Sequence, residues 1–170
     1  MKKLLKVALV AVCIISMGNF AKAQTKIAYI NFDQLIELMP ETKSVRTQLE
    51  TYNKQFQDQY TSMTGEYQQK AQAYEAQRAT MTDAIRTAKE SELQDLQKRI
   101  QAFQTDAQQK VSTKTNELSK PLFDKARGII SQVAKDKGYT YVINASQTDL
   151  IVSPPGDDLL ADVKTKMGLK

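Results

Sequence analysis

Three groups of side chains have types and spacings that reactive chemistry uses. Asp157-Asp158 is a carboxylate pair, as a general acid and base would be. Glu90, Glu92 and Asp95 bring three carboxylates close together, as a hard-cation site would. Ser119-Lys120 sets a hydroxyl beside an amine, as an activated nucleophile would. Each group also has a plainer use. Asp157-Asp158 opens a segment with Leu159, Leu160 and Val163, where acids complement a helix dipole. Lys89, Lys98 and Arg99 interleave with the three carboxylates, which is the pattern of a solvated helix face. Ser119-Lys120 precedes Pro121 and reads as a helix start. The chain has no His and no Gly-rich phosphate loop, and its one Cys is Cys13. The expectation is a non-enzyme with no catalytic residue, no metal and no cofactor.

What remains is a ladder of rings: Tyr52, Phe56, Tyr60, Tyr67 and Tyr74. Such a ladder is either an adhesive surface for apolar segments of other proteins or the seam between two helices. A two-helix seam buries large rings on one side only, so both uses are compatible, and Tyr keeps a wet hydroxyl beside an apolar ring.

The elements that carry the ladder follow from its spacing. Val45, Leu49, Tyr52, Phe56, Tyr60, Met63, Tyr67, Ala71 and Tyr74 advance by steps of 4, 3, 4, 4, 3, 4, 4 and 3. That averages about 3.6, the period of a single apolar stripe on a helix. Thr80-Met81-Thr82-Asp83 interrupts the pattern with short polar residues that can cap a new helix. The period resumes at Ile85 and runs through Leu93, Leu96, Ile100, Phe103, Ala107, Val111, Leu118 and Leu122 to Val133, then stops at Gly138. Two long helices joined by a tight turn lie antiparallel, and a turn near 81–82 pairs residues whose numbers sum to about 163. On that rule Tyr52 meets Val111, Tyr60 meets Phe103, Met63 meets Ile100 and Tyr67 meets Leu96. The expected unit is a coiled-coil hairpin over 41–121 with its turn near 80–83 and arms of roughly 57 Å. Gly65 is its weak point, and Pro121 should kink the second arm at the base.

The flanking segments, 24–40 and 122–170, read as a small strand-containing base. Lys26–Asn31 and Tyr139–Asn144 are rich in β-branched and aromatic residues, and Leu150-Ile151-Val152 reads as a third short strand before Pro154-Pro155-Gly156. Phe32–Met39 reads as a short helix ended by Pro40. The fold class is therefore mainly α with a small β base (α+β). About 60 residues in two pieces sit near the lower limit for an independent core, so copies are expected to associate through the base.

The first 23 residues form an address. Lys2, Lys3 and Lys6 precede a short apolar run, and Ala21-Lys22-Ala23 is a small-x-small cleavage site, the grammar of a secretory signal. The run is shorter than the ~18 residues that span a bilayer. Cleavage after Ala23 removes four of the 24 basic residues, leaving 20 against 19 acidic. The formal charge of +5 thus gives no case for nucleic acid. Cys13 leaves too, so stability in an oxidising compartment must come from burial, helix length or association.

A cleaved signal, Lys26-Ile27-Ala28-Tyr29-Ile30-Asn31-Phe32-Asp33, a long Gln-rich hairpin and Gly138-Tyr139-Thr140-Tyr141-Val142-Ile143 together resemble the Skp/OmpH family of periplasmic chaperones, over essentially the whole exported chain. The resemblance implies a jellyfish-shaped homotrimer in the periplasm. Ile27, Tyr29, Val142, Ile143, Ile151 and Val152 would contribute to its trimerising base. Three hairpins, Thr42 to Lys120 of each copy, would surround a cavity that holds unfolded outer-membrane β-barrel proteins without ATP. The seam (Tyr52, Phe56, Tyr60, Met63, Tyr67, Tyr74, Leu96, Ile100 and Phe103) would offer client contacts, with Gly65 and Pro121 as flex points. One departure concerns charge. The family's best-known members are strongly basic, whereas 41–137 carries 16 basic and 13 acidic residues here. Lipopolysaccharide or membrane-surface binding is therefore a weak expectation with no residue assigned. The competing function is a coiled-coil envelope scaffold for one folded partner.

Overall fold

The computed structural model describes residues 25–169. The expected signal, residues 1–23, lies outside the described residues. Strand β1 spans Ile27–Ile30. Helix α1 (Phe32–Leu38) follows, started by Asn31, whose side chain accepts from the Gln34 N–H at 2.9 Å. Met39 is extended, and Pro40 is the first residue of helix α2 (Pro40–Gln77). A proline there loses no helical hydrogen bond and supplies a preset φ, so it ends one helix by beginning another.

Helix α2 has 38 residues, about 57 Å at the standard rise. One 3₁₀ turn at Arg78–Thr80 closes it, and Met81 is extended. Thr82 then caps helix α3 (Asp83–Asp136), accepting from the Ile85 N–H at 3.4 Å. The turn falls at 78–82, where the apolar period lapses.

Helix α3 is one uninterrupted helix of 54 residues, and Pro121 lies inside it. The expected helix start at Ser119-Lys120 is therefore wrong. Apolar packing on both sides of Pro121 outweighs the loss of one backbone bond. The C-terminal third of α3 passes directly into the base. Gly138, at φ 75, ends the run after Lys137, and the Tyr139 N–H returns to the Ala134 carbonyl at 2.8 Å. Only a residue without a Cβ takes that left-handed turn at no cost.

Strand β2 (Tyr141–Asn144) lies parallel to β1, with Ile27 opposite Tyr141, Ala28 opposite Val142, Tyr29 opposite Ile143 and Ile30 opposite Asn144. The whole hairpin is thus the crossover between two parallel strands. A 3₁₀ turn at Pro155–Asp157 leads to helix α4 (Leu160–Met167), closed by Gly168 at φ 70. The core sits where β1, α1, the end of α3 and α4 meet: Ala28, Ile30, Leu35, Met39, Leu122, Ala126, Ile130, Val133, Ala134, Tyr139, Leu159 and Val163. Leu35, Leu159 and Val163 are fully buried.

The third strand expected at Leu150–Val152 is absent. That segment is irregular, with Ile151 95% and Val152 81% exposed. A strand needs a partner, and the place beside β1 is taken. Asp158 bridges to Tyr29, and the Leu159 N–H donates to the Tyr29 carbonyl at 3.0 Å.

Candidate functional site

The residues with catalytic potential are used for structure. The Asp158 side chain accepts from the Leu160 N–H at 2.9 Å, and Asp157 accepts from the Tyr139 hydroxyl at 2.8 Å. That acceptor holds the Tyr139 hydroxyl above its ordinary pKa. Glu92 accepts from Lys70 and Lys89, Glu90 accepts from the Tyr74 hydroxyl, and Asp95 faces Lys98 at 3.7 Å. Ser119 lies mid-helix. Among the described residues no three His, Cys, Asp or Glu gather as metal ligands.

The unsatisfied surface is apolar, and it lies along the hairpin. Helices α2 and α3 pack antiparallel on each other. Tyr52, Phe56, Tyr60, Met63, Tyr67, Ile100 and Phe103 are all half-buried, while Tyr74 and Leu96 are buried. A two-helix unit has no third layer, so each ring presses one face into the seam and leaves the other in water. Tyr52 meets Phe56 edge-on at 5.1 Å between ring centres, and Phe56 meets Phe103 at 6.0 Å. Phe103 therefore has Phe56 as its ring partner, one turn nearer the base than the expected Tyr60. The numbers of Phe56 and Phe103 sum to 159 against the expected 163, so this ring contact runs diagonally across the seam.

The seam is not filled at its root. A groove of about 380 Å³ lies on one side, lined by Ile36, Val45, Leu49, Val111, Leu122 and Phe123 among others. Another of about 640 Å³ runs past Lys43, Thr47, Thr51, Tyr52 and Lys114.

Sequence reasoning missed the polar ties between the arms. Lys125 donates to Glu41 at the root, where it holds the Glu41 carboxyl below its usual range. Near the tip Lys70 donates to Glu92, and the Tyr74 hydroxyl donates to Glu90. These bonds lower the Glu92 pKa and raise those of Lys70 and Tyr74, each by stabilising the form that makes the bond. Arg78 lies 5.9 Å from the centre of the Tyr74 ring. The signal was present in the sequence. The three pairs sum to 166, 162 and 164, close to the sum that pairs the apolar residues, so the same rule extends to polar ones.

A second apolar surface lies on the base. The sheet turns Ala28 and Ile30 inward and leaves Ile27 48% and Tyr141 61% exposed on its other face, with Tyr29 and Ile143 half-buried beside them. Parallel strands are ordinarily covered on both faces, and this face is bare in a single chain. Of the six residues expected in an associating base, Ile27, Tyr29 and Ile143 share this face. Val142 packs against the core, and Ile151 and Val152 lie in the exposed 145–154 loop.

Comparison with known proteins agrees with this architecture. The family model described as outer membrane protein (OmpH-like) matches residues 26–167. The chaperone protein Skp of Photorhabdus luminescens is 29% identical over 167 residues, covering 96% of this chain and 97% of that one. The Skp of Photorhabdus laumondii is 30% identical over 158 residues, covering 90% and 92%. The crystal structure of a protein described as an OmpH-like outer membrane chaperone, from Caulobacter crescentus CB15, superposes with a TM-score of 0.68 at 15% identity. It covers 84% of this chain and 83% of that one and shares the fold. Family match, near-complete coverage and fold converge: the chain belongs to the OmpH-like outer membrane protein family.

Proposed function

We propose that the protein is an exported, ATP-independent holdase of the periplasm, which binds unfolded outer-membrane β-barrel proteins and keeps them from aggregating before membrane insertion. The observation that carries this reading is the hairpin seam, whose large side chains stay half-exposed along about 57 Å of helix. Its rings offer many weak apolar contacts and no deep pocket, which suits a binder of many sequences. Its relatives bear the name chaperone protein Skp.

The bare sheet face of Ile27, Tyr29, Tyr141 and Ile143, with exposed Ile151 and Val152 nearby in sequence, is the surface through which copies associate, as a homotrimer. Association covers a face that one chain leaves wet, and it arranges three hairpins around a shared space. Contacts spread over three arms then gain strength from multivalency. Gly65 and Pro121 are the positions at which the arms adjust to client size.

The test is dilution of a urea-unfolded outer-membrane β-barrel protein into buffer with and without the purified chain. The expected result is suppressed turbidity near one trimer per client without nucleotide. Unchanged turbidity would favour a scaffold that binds a folded partner. Light scattering checks the assembly, and a mass near 17 kDa, one exported chain of about 147 residues, would remove the shared space.

A further inference from the structure

The polar ties between the two arms are confined to the ends. Glu41–Lys125 closes the root, and Lys70–Glu92 with Tyr74–Glu90 closes the distal part. Between them, among the described residues, no side-chain hydrogen bond or ion pair crosses from α2 to α3. The ion pairs of that stretch, among them Lys54 with Asp58, Lys98 with Asp95, Lys110 with Asp106, Lys114 with Glu117 and Lys120 with Asp124, stay within one helix. The mid-seam is held by half-buried apolar side chains alone, such as Tyr52, Phe56 and Phe103. Gly65, with nothing within 4 Å of where a Cβ would stand, sits at the distal edge of this stretch.

We propose that the middle of this seam is a concealed binding surface, which parts between its two clamps to admit an extended, uncharged apolar polypeptide segment between the helices of one hairpin. This rests on the holdase reading and names the site for it. The physical reasoning has three parts. Parting the arms breaks no polar bond between the clamps, so the cost is apolar exposure, and an apolar occupant returns that area to cover. The charged side chains of this stretch, such as Lys43, Arg46, Glu50 and Lys110, stand exposed beside the seam, so a charge taken between the helices would be buried away from them, which is costly. The empty grooves beside the root already leave room along the same line. The clamps keep the arms in register, so the hairpin bows instead of splitting from its tip.

The experiment compares two cysteine staples in a C13S background, each oxidised and reduced. The first is Phe56→Cys with Phe103→Cys in mid-seam; the second is Lys70→Cys with Glu92→Cys at the distal clamp. The probe is a urea-unfolded outer-membrane β-barrel protein. Oxidising the mid-seam staple should weaken capture by about tenfold relative to its own reduced form, while oxidising the distal staple should change it by less than about twofold. Equal capture by the oxidised and reduced mid-seam forms overturns the proposal and leaves the holdase reading standing. Failure of the unaltered chain to suppress aggregation overturns both. If the mid-seam variant loses its helicity, a benzophenone amino acid at position 103 decides instead. Because Phe103 is already half-exposed, the deciding outcome is loss of its crosslinks to Phe56 of the same chain when client is added; unchanged crosslinks within the chain refute an opening seam.

Discussion

The base and the hairpin are built from the same kinds of apolar residue and treat them in opposite ways. Of the fourteen buried apolar residues among those described, twelve form one cluster in the base, and only Tyr74 and Leu96 belong to the arms. The base folds β1, α1, the end of α3 and α4 around one point, so each core side chain is covered from several directions. The hairpin has two elements and one contact line, so a residue of the same hydrophobicity remains half wet. The lesson is that burial is decided by the number of layers, and a chain can make one part stable and another adhesive without changing its alphabet.

That contrast can be broken by mutation. Leu159→Ala in the base should cost about 2–5 kcal/mol, the range for deleting a fully buried leucine, measured by chemical denaturation. Phe103→Ala in the arm should cost clearly less while reducing client capture. Equal stability losses would mean that the arms carry a hidden core of their own.

Two glycines sharpen the comparison with opposite signs. Gly138→Ala forces a Cβ into the left-handed turn that ends α3 and should destabilise by about 1–2 kcal/mol. Gly65→Ala adds a Cβ in open space mid-helix and should stabilise by about 0.5–1 kcal/mol in thermal or chemical unfolding. If arm flexibility at Gly65 matters for function, that gain will come with weaker capture of large clients.

The smallest effect is expected from pH at the distal clamp. The Glu92 carboxyl lies below its ordinary value because Lys70 and then Lys89 donate to it. Its contribution is present above the ordinary glutamate pKa of about 4.3 and is lost as pH falls through the lowered value. The Tyr74 hydroxyl lies above its ordinary value because it donates to Glu90. Its contribution is complete below the ordinary tyrosine pKa of about 10 and is lost as pH rises through the raised value. Spin labels flanking the tip should therefore report a closed hairpin across neutral pH and fraying at both extremes. Lys70, its pKa raised by the bond to Glu92, adds its own alkaline loss, so Tyr74→Phe should diminish the alkaline transition without abolishing it and leave the acid one.

Much of the hairpin was legible because helical periodicity is local. The stripe from Val45 to Tyr74 located α2, the lapse at Thr80–Asp83 located the turn, and one sum paired the arms. The candidate site was partly legible: the half-exposed seam follows from counting two helices, while the clamps needed the same sum applied to charged residues. Three readings failed for one reason. Leu150–Val152 has strand composition, Ser119-Lys120-Pro121 resembles a helix start, and Tyr60 was the expected partner of Phe103. In each case a non-local neighbour decided the outcome: Asp158 beside β1, packing around Pro121, and the ring of Phe56.

By itself the sequence determined the period of the helices and the place of the turn between them, because those depend on residues three or four apart. Only the tertiary structure decided which strands pair in parallel, which face of that sheet is left bare and where the arms are tied. Those outcomes depend on groups far apart in the chain, such as Tyr29 with Asp158 and Glu41 with Lys125. No local pattern encodes a competition of that kind, because its result depends on which partner arrives with the better fit.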